Sequence, residues 1–240
     1  MGKKAVVLNR GGVDSTTCVG LAVEKYGKDN VSTLSVFYGQ KHNKELECAK
    51  KIAAHYEVAH YEVDLSAVMQ FSNCPLLSQS TEAIRHESYA EQIAKDGEGM
   101  VRTYVPFRNG LLLSSVTALA VSLYPDDEVE VYYGAHADDA AGRAYADCSP
   151  EFADAMNKAI NIGTYEKVTL AAPLINMNKG EVVKTGLAIG VPYHLTTSCY
   201  EGREKACGTC GTCIDRINAF KVNGVEDPIE YENNDVKKLN

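Results

Sequence analysis

Apolar positions along the chain alternate between two spacings. Short blocks of aliphatic and β-branched residues at 5–8, 32–38, 59–63, 128–133 and 168–172 read as strands. Between them, apolar residues three and four apart predict helices over 15–26, 43–56, 110–124, from 149–150 onward, and over 179–189. The punctuation agrees. Ser15 or Thr16 stands near an N-cap, Gly27 follows the first helix, Pro150 suits a first helical turn and Gly190 closes the helix at 179–189. Repeated strand–helix alternation predicts an α/β fold, a parallel sheet with helices on both faces. Residues 71–103 break the rhythm. They are polar and irregular with a weak helical signal at 82–94, and a connection that long in a compact domain is a lid, a binding loop or a disordered stretch. Beyond Glu226 the chain is acidic and asparagine-rich, a tail expected to fray.

Composition narrows the partners. The 240 residues suit one α/β domain with an appendage, and a hydrophobic share of 45% is ordinary for a globular core. A formal charge of −8 opposes a general nucleic-acid surface, since phosphate contacts need clustered Lys and Arg. Any link to RNA or DNA would then run through a free base or nucleotide. No run reaches the roughly 18 apolar residues of a membrane span, and the start of the chain lacks a leader pattern. A cytoplasmic protein without membrane partners is expected.

The candidate chemistry begins where the first strand ends. Leu8-Asn9-Arg10-Gly11-Gly12-Val13-Asp14-Ser15-Thr16 carries two glycines and small hydroxyl residues directly ahead of a helix. Glycines permit positive φ and close backbone approach, so successive N–H groups can converge on one anion, and the helix adds its positive end. The Walker pattern is absent. A second cluster lies near the other end. Cys207, Cys210 and Cys213 make two successive C-x2-C steps, with Cys199 eight residues before them. Four thiolates at this spacing suit a closed, structural tetrahedral zinc site, with an iron–sulfur cluster as the alternative. The ion would pin a segment too small to own a core.

Further segments join these two: Tyr38-Gly39-Gln40, Arg108-Asn109, His136-Ala137-Asp138-Asp139, Asp147-Cys148 and Lys179-Gly180-Glu181. In order and content they resemble the 7-cyano-7-deazaguanine synthase family of pyrophosphate-loop ATPases, over about residues 4–220. The resemblance implies a Rossmann-like parallel sheet of the adenine nucleotide α-hydrolase type, with an ATP-using domain at 1–190, a zinc-binding segment and helix at 191–224 and an acidic tail at 225–240. It implies a reaction as well. A 7-carboxy-7-deazaguanine is adenylated by ATP, ammonia converts the adenylate to an amide, and a second ATP drives dehydration to the nitrile. Leu8 through Thr16 and Tyr38, Gly39 and Gln40 would hold ATP, with Asp14, Ser15 and Lys179 as the catalytic set. Arg108, Asn109, Asp138, Asp139 and Asp147 would face the substrate. Arg108 offers a fork for an anionic carboxylate or phosphate, Asp138 or Asp139 a place for Mg²⁺, and Asp147 an acceptor for the guanine-like edge. A homodimer is implied by the family.

One letter departs from the family loop. Arg10 stands where its first serine belongs, which removes a hydroxyl and adds a cation. Either the guanidinium takes over a phosphate contact or it fills the pocket. That opens two alternatives to the full reaction: a relative that stops at the amide or labels an amine, and a nucleotide- or deazapurine-binding protein without turnover.

Overall fold

The computed structural model of the protein describes residues 2–97 and 99–239. Met1, Glu98 and Asn240, which fall inside the expected domain and loop bounds, lie outside the described residues. In chain order the elements are β1 (Lys3–Leu8), α1 (Val13–Tyr26), β2 (Val31–Phe37), α2 (Lys44–His55), β3 (Ala59–Asp64), the single turn α3 (Ser66–Met69) and α4 (Tyr89–Asp96). There follow α5 (Arg108–Leu123), β4 (Glu128–Tyr132), the single turn α6 (Ala137–Ala140), α7 (Pro150–Gly163), β5 (Val168–Ala171), α8 (Lys179–Ala188) and α9 (Gly211–Lys221). All five strands pair in parallel in the order β3-β2-β1-β4-β5. β1 is central, with Val7 beside Thr33 on one flank and Tyr132 on the other.

Period-two alternation in β1 divides the core. Ala5 and Val7 face one layer, where they pack with Val13 and Val19 of α1, Ile52 of α2, Val182 and Val183 of α8, and Phe220 of α9. Val6 and Leu8 face the other, against Leu112, Leu113 and Val116 of α5 and Ile160 of α7. Fully covered parallel strands need continuous apolar runs, which is why 5–8 and 31–36 are buried throughout. The strand order reverses between β1 and β4. Open parallel sheets bind ligands at the carboxyl ends of the strands flanking such a reversal.

The predicted elements all form, with shifted ends. The first helix starts at Val13 and is capped by Gly12, not by Ser15 or Thr16. Those hydroxyls instead turn back onto the loop: Thr16 Oγ1 donates to the Gly12 carbonyl at 2.6 Å, and Ser15 Oγ accepts the Arg10 N–H at 3.0 Å. The weak signal at 82–94 becomes α4, displaced toward the C-terminus. The tail does not fray as expected. Asp227 and Tyr231 are buried, and residues flanking Tyr231 exchange backbone hydrogen bonds with Ala206 beside the cysteines. Composition marked this stretch as polar, but two inward-facing side chains are enough to dock it.

Candidate active site

The turn after β1 is built around its two glycines, each for its own reason. Gly11 has φ of 71°, and a Cβ there would lie 2.2 Å from the Glu45 carbonyl of α2, so only glycine fits. Gly12 is extended, and its carbonyl receives the first helical hydrogen bond, from Thr16. Asn9 is fully buried beneath them. Its Oδ1 accepts the Gly11 N–H and its Nδ2 donates to the Ala49 carbonyl, so it shapes the turn from below. The first N–H groups of α1 therefore open upward, as the free end of a helix does.

A cleft of roughly 990 Å³, counting its open mouth, lies over the ends of β1 and β4. Leu8, Arg10, Gly12, Asp14 and Ser15 line it from the loop, Lys179 from α8, and Arg108 and Asn109 from α5. Gly134, Ala135, His136 and Asp139 come from the turn after β4. A Cβ on Gly134 would meet the Asp14 and Ser15 backbone at 3.1 Å, which lets the two turns close on one another. Arg10 shares the wall with Gly12, Asp14 and Ser15 and does not shut them off from the cleft.

Lys179 is the centre of the charge network. Its Nζ donates to both carboxylate oxygens of Asp14 at 2.6 Å and lies 3.3 Å from His136 Nε2. Asn178 caps α8 in a reciprocal capping box with Glu181, and the Lys179 N–H donates to Asp138 Oδ2 at 2.7 Å. The lysine is thus fixed at both its backbone and its charge. Burial alone would raise the Asp14 pKa, but the Lys179 ammonium and His136 outweigh it and hold the carboxyl below its usual range. Asp139 Oδ2 lies 3.4 Å from His136 Nε2.

Some expected residues sit elsewhere. Asn9, Gly11, Val13 and Thr16 support the loop without lining the cleft. Tyr38 and Gln40 are buried, and Gln40 Oε1 accepts the Tyr38 N–H at 2.8 Å, so neither offers an open shelf for an adenine. Gly39, beside them, is also outside the cleft lining. Asp147 is buried behind the cleft, where its Oδ2 accepts the Asn109 N–H in the first turn of α5 at 3.0 Å. Ser149, not Asp147, caps α7. Asp138 lines a neighbouring cavity that shares Asp139, Tyr145, Lys179 and Asp215 with the main cleft.

Several contributors are absent from the sequence-based set, the ionisable Glu45, His136 and Asp215 among them. His136 is 4% exposed and touches the Asp14–Lys179 pair. Asp215 of α9 also reaches the cleft. Burial pushes its carboxyl up to about 6 against the pull of Lys179, with Asp139 and Asp138 adding to the rise. A signal for it existed: Thr212, Asp215, Asn218 and Val222 fall on one helical face, and all four line one or other cavity.

The cysteines converge as their spacing predicts. The sulfurs of Cys199, Cys207, Cys210 and Cys213 lie within 4.8 Å of one another, all buried. Tetrahedral Zn–S bonds of about 2.3 Å place sulfurs about 3.8 Å apart, and Cys207 and Cys213 are separated by 3.9 Å. Backbone N–H groups of Cys207 and Cys210 point at the sulfurs of Cys199 and Cys207 at 3.4 and 3.3 Å, as suits anionic thiolates. The donor set fits a four-coordinate soft metal ion with no open position. Thr197, Ser198, Tyr200 and Thr212 of the same segment form one wall of the cleft, so the cluster holds a part of the site in place. No helix among the described residues is long and apolar enough to cross a membrane.

A family model described as queuosine biosynthesis protein QueC matches residues 4–224. The 7-cyano-7-deazaguanine synthase of Psychromonas ingrahamii is 40% identical over 232 residues, covering 97% of this chain and 99% of its own. That of Pseudoalteromonas atlantica is 43% identical, with coverage of 97% and 100%. That of Caldicellulosiruptor saccharolyticus is 43% identical over 229 residues, with coverage of 95% and 96%.

Proposed function

Because the chain belongs to the queuosine biosynthesis protein QueC family, we propose that it is an ATP-dependent ligase making 7-cyano-7-deazaguanine from 7-carboxy-7-deazaguanine and ammonia. The observation that carries this reading is the Lys179–Asp14 pair at the free end of α1, in the cleft over the ends of β1 and β4. A carboxylate is a poor electrophile because oxide would have to leave. Attack of its oxygen on the α-phosphorus of ATP forms the acyl adenylate and expels pyrophosphate. Ammonia then adds to the carbonyl carbon, AMP leaves with the electron pair of the C–O bond, and one proton is released. A second ATP adenylates the amide oxygen and expels pyrophosphate, and loss of AMP with both amide protons leaves the C≡N bond.

The residues divide this work. The α1 N–H groups, Ser15 and Lys179 would stabilise charge on departing pyrophosphate, an effect strongest in groups already oriented before reaction. Asp14 and His136 hold the Lys179 ammonium in register. Arg10 adds a second cation at the loop, in the place of the family serine. Arg108 and Asn109 would face the deazaguanine, and Asp147 supports them from behind through Asn109. Mg²⁺, when bound, supplies a Lewis acid at the phosphates. Asp139 on the cleft wall would hold it, since Mg²⁺ needs only one or two carboxylates beside phosphate oxygens. Zinc on the four cysteines supplies no chemistry at the reacting atoms and anchors residues 191–224 beside the ATP-using domain at 1–190. The reading includes a homodimer and a cytoplasmic setting, which rest on the family resemblance.

The product assay tests it. With carboxy-deazaguanine, ATP and ammonium, mass spectrometry should find the nitrile and two AMP for each nitrile formed. Amide as the only product, or binding without AMP release, would overturn the reading. The relatives named above carry the cyano product in their names and favour neither alternative. Arg10→Ser run beside the unaltered protein should change turnover by less than about tenfold, because the loop already opens on the cleft with the arginine in place. Chelation of the metal, or Cys213→Ser, should abolish amide hydrogen-exchange protection at 206–232 while the sheet retains it. Unchanged protection there would remove the anchoring role.

A further inference from the structure

The main cleft has a neighbour. Asp139, Tyr145, Lys179 and Asp215 line both it and a second cavity, so the two hollows meet at those four side chains. They meet at the phosphate cradle: Lys179 Nζ, bound to Asp14, lies 3.3 Å from His136 Nε2, and Asp139 Oδ2 lies 3.4 Å from the same nitrogen. The Asp215 side chain has no hydrogen bond and no ion pair within 4.0 Å among the described residues, so it can turn without breaking one. Elsewhere small side chains, Ala144 and Ala219, wall the second cavity. Its exposed lining residues, Ala141, Asn178, Asn218 and Val222, line no part of the main cleft and form a rim of their own.

Charge says what passes there. The second cavity is lined by three carboxylates, Asp138, Asp139 and Asp215, against one cation, Lys179, whose charge Asp14 already pairs. Such a wall draws small cations in and repels phosphates. It therefore suits ammonium entering and not pyrophosphate leaving. We propose that the second cavity is the route by which ammonia reaches the acyl adenylate, separate from the mouth that admits ATP and the deazaguanine. This rests on the adenylation reading. In that reading Lys179 meets the departing pyrophosphate, the α-phosphate lies next to it, and the acyl carbon is joined to the α-phosphate through one oxygen. A nucleophile arriving beside Lys179 thus comes close to the reacting carbon while nucleotide and base still fill the cleft. Ammonium gives its extra proton to water in the cavity. The nitrogen lone pair then forms the C–N bond, and AMP leaves with the C–O electron pair.

Asn218 gives the test, since it is exposed on the rim and outside the catalytic set. Asn218→Lys should raise KM for ammonium about tenfold at low salt and less at high salt, because charge sets the local ion concentration and salt screens it. Asn218→Trp, which narrows the opening without charge, should raise it at both salts, and raise KM for the wider nucleophile methylamine further. In both variants kcat at saturating ammonium should match the unaltered protein. So should exchange of labelled pyrophosphate into ATP, measured with carboxy-deazaguanine and without ammonium. A thermal melt checks folding. An unchanged ammonium KM in both variants, or equal rises for ATP and the carboxylate, would overturn the proposal. A further arm needs no turnover. Ala219→Cys puts a thiol on the cavity wall, and methyl methanethiosulfonate should modify it equally fast with the cleft empty or filled by ATP and the 7-cyano product. Protection by those ligands would mean that they close the cavity, which also overturns the proposal. Absence of pyrophosphate exchange in the unaltered protein refutes the adenylation reading, and the thiol still decides whether a second way in exists.

Discussion

Lys179→Ala should lower kcat/KM for AMP formation by roughly 10²–10³-fold, the usual cost of removing one preorganised donor from developing charge. The wild-type ammonium is held by three independent restraints: the Asp14 carboxylate, His136 Nε2 and the capped start of α8. None of these must reorganise when phosphate arrives. Lys179→Arg keeps the charge but not its compact shape and should recover only part of the rate. Asp14→Asn separates charge from position, because it preserves the outline of the pair and removes the attraction. The Asp14 carboxyl is held below its usual range, so the stability it contributes is complete above its unfolded value of about 4 and is lost as the pH falls through the lower folded value. Loss of that pair therefore cannot produce a rate change between pH 6 and 8. A Lys179→Ala protein that melts normally and turns over within fivefold of wild type would remove the lysine from the mechanism.

Asp227→Ala should destabilise the protein by about 3–5 kcal/mol, because it strands a buried charge. Arg216 of α9 and Asp227 both have fully buried side chains. Nε donates to Oδ2 at 2.7 Å and Nη2 to Oδ1 at 2.9 Å, a parallel fork. Arg216 also donates to Thr196 Oγ1 and to the Tyr193 carbonyl, and Tyr231 donates its hydroxyl to Asp227 Oδ2 at 2.6 Å. One ion pair therefore ties the segment before the cysteines, the helix after them and the tail. For a chain of this length the melting temperature should fall by roughly 6–20 °C. Removing both charges at once, as Arg216→Met with Asp227→Leu, should recover much of the loss, since no buried ion is then left alone. Urea unfolding gives the comparison. A single-variant change below about 1 kcal/mol would mean that water reaches Arg216.

The legible parts of the site are those that sequence neighbours build. Gly11 and Gly12 shape a turn within a few residues, and the two C-x2-C steps bring sulfurs together through short local loops. Lys179 was recognisable through the family resemblance, but its bidentate contact with Asp14 joins residues 165 positions apart. Tyr38 and Asp147 show the other case. A tyrosine and a carboxylate beside strand ends look like ligand contacts, yet packing turned one beneath Arg108 and the other into a cap for α5. The tail obeys the same rule: acidic composition describes its surface, while Asp227 and Tyr231 answer to a buried arginine.

The amino-acid sequence by itself determined the alternation of strands and helices, the anion-holding turn and the thiolate cluster, because periodicity, glycine freedom and ligand spacing are local properties. Only the tertiary structure decided that His136 and Asp215 enter the cleft, that Arg108 lines it, and that Asp227 closes over Arg216. Those facts depend on which side chains meet across the sheet, and contacts between distant segments leave no period in the chain.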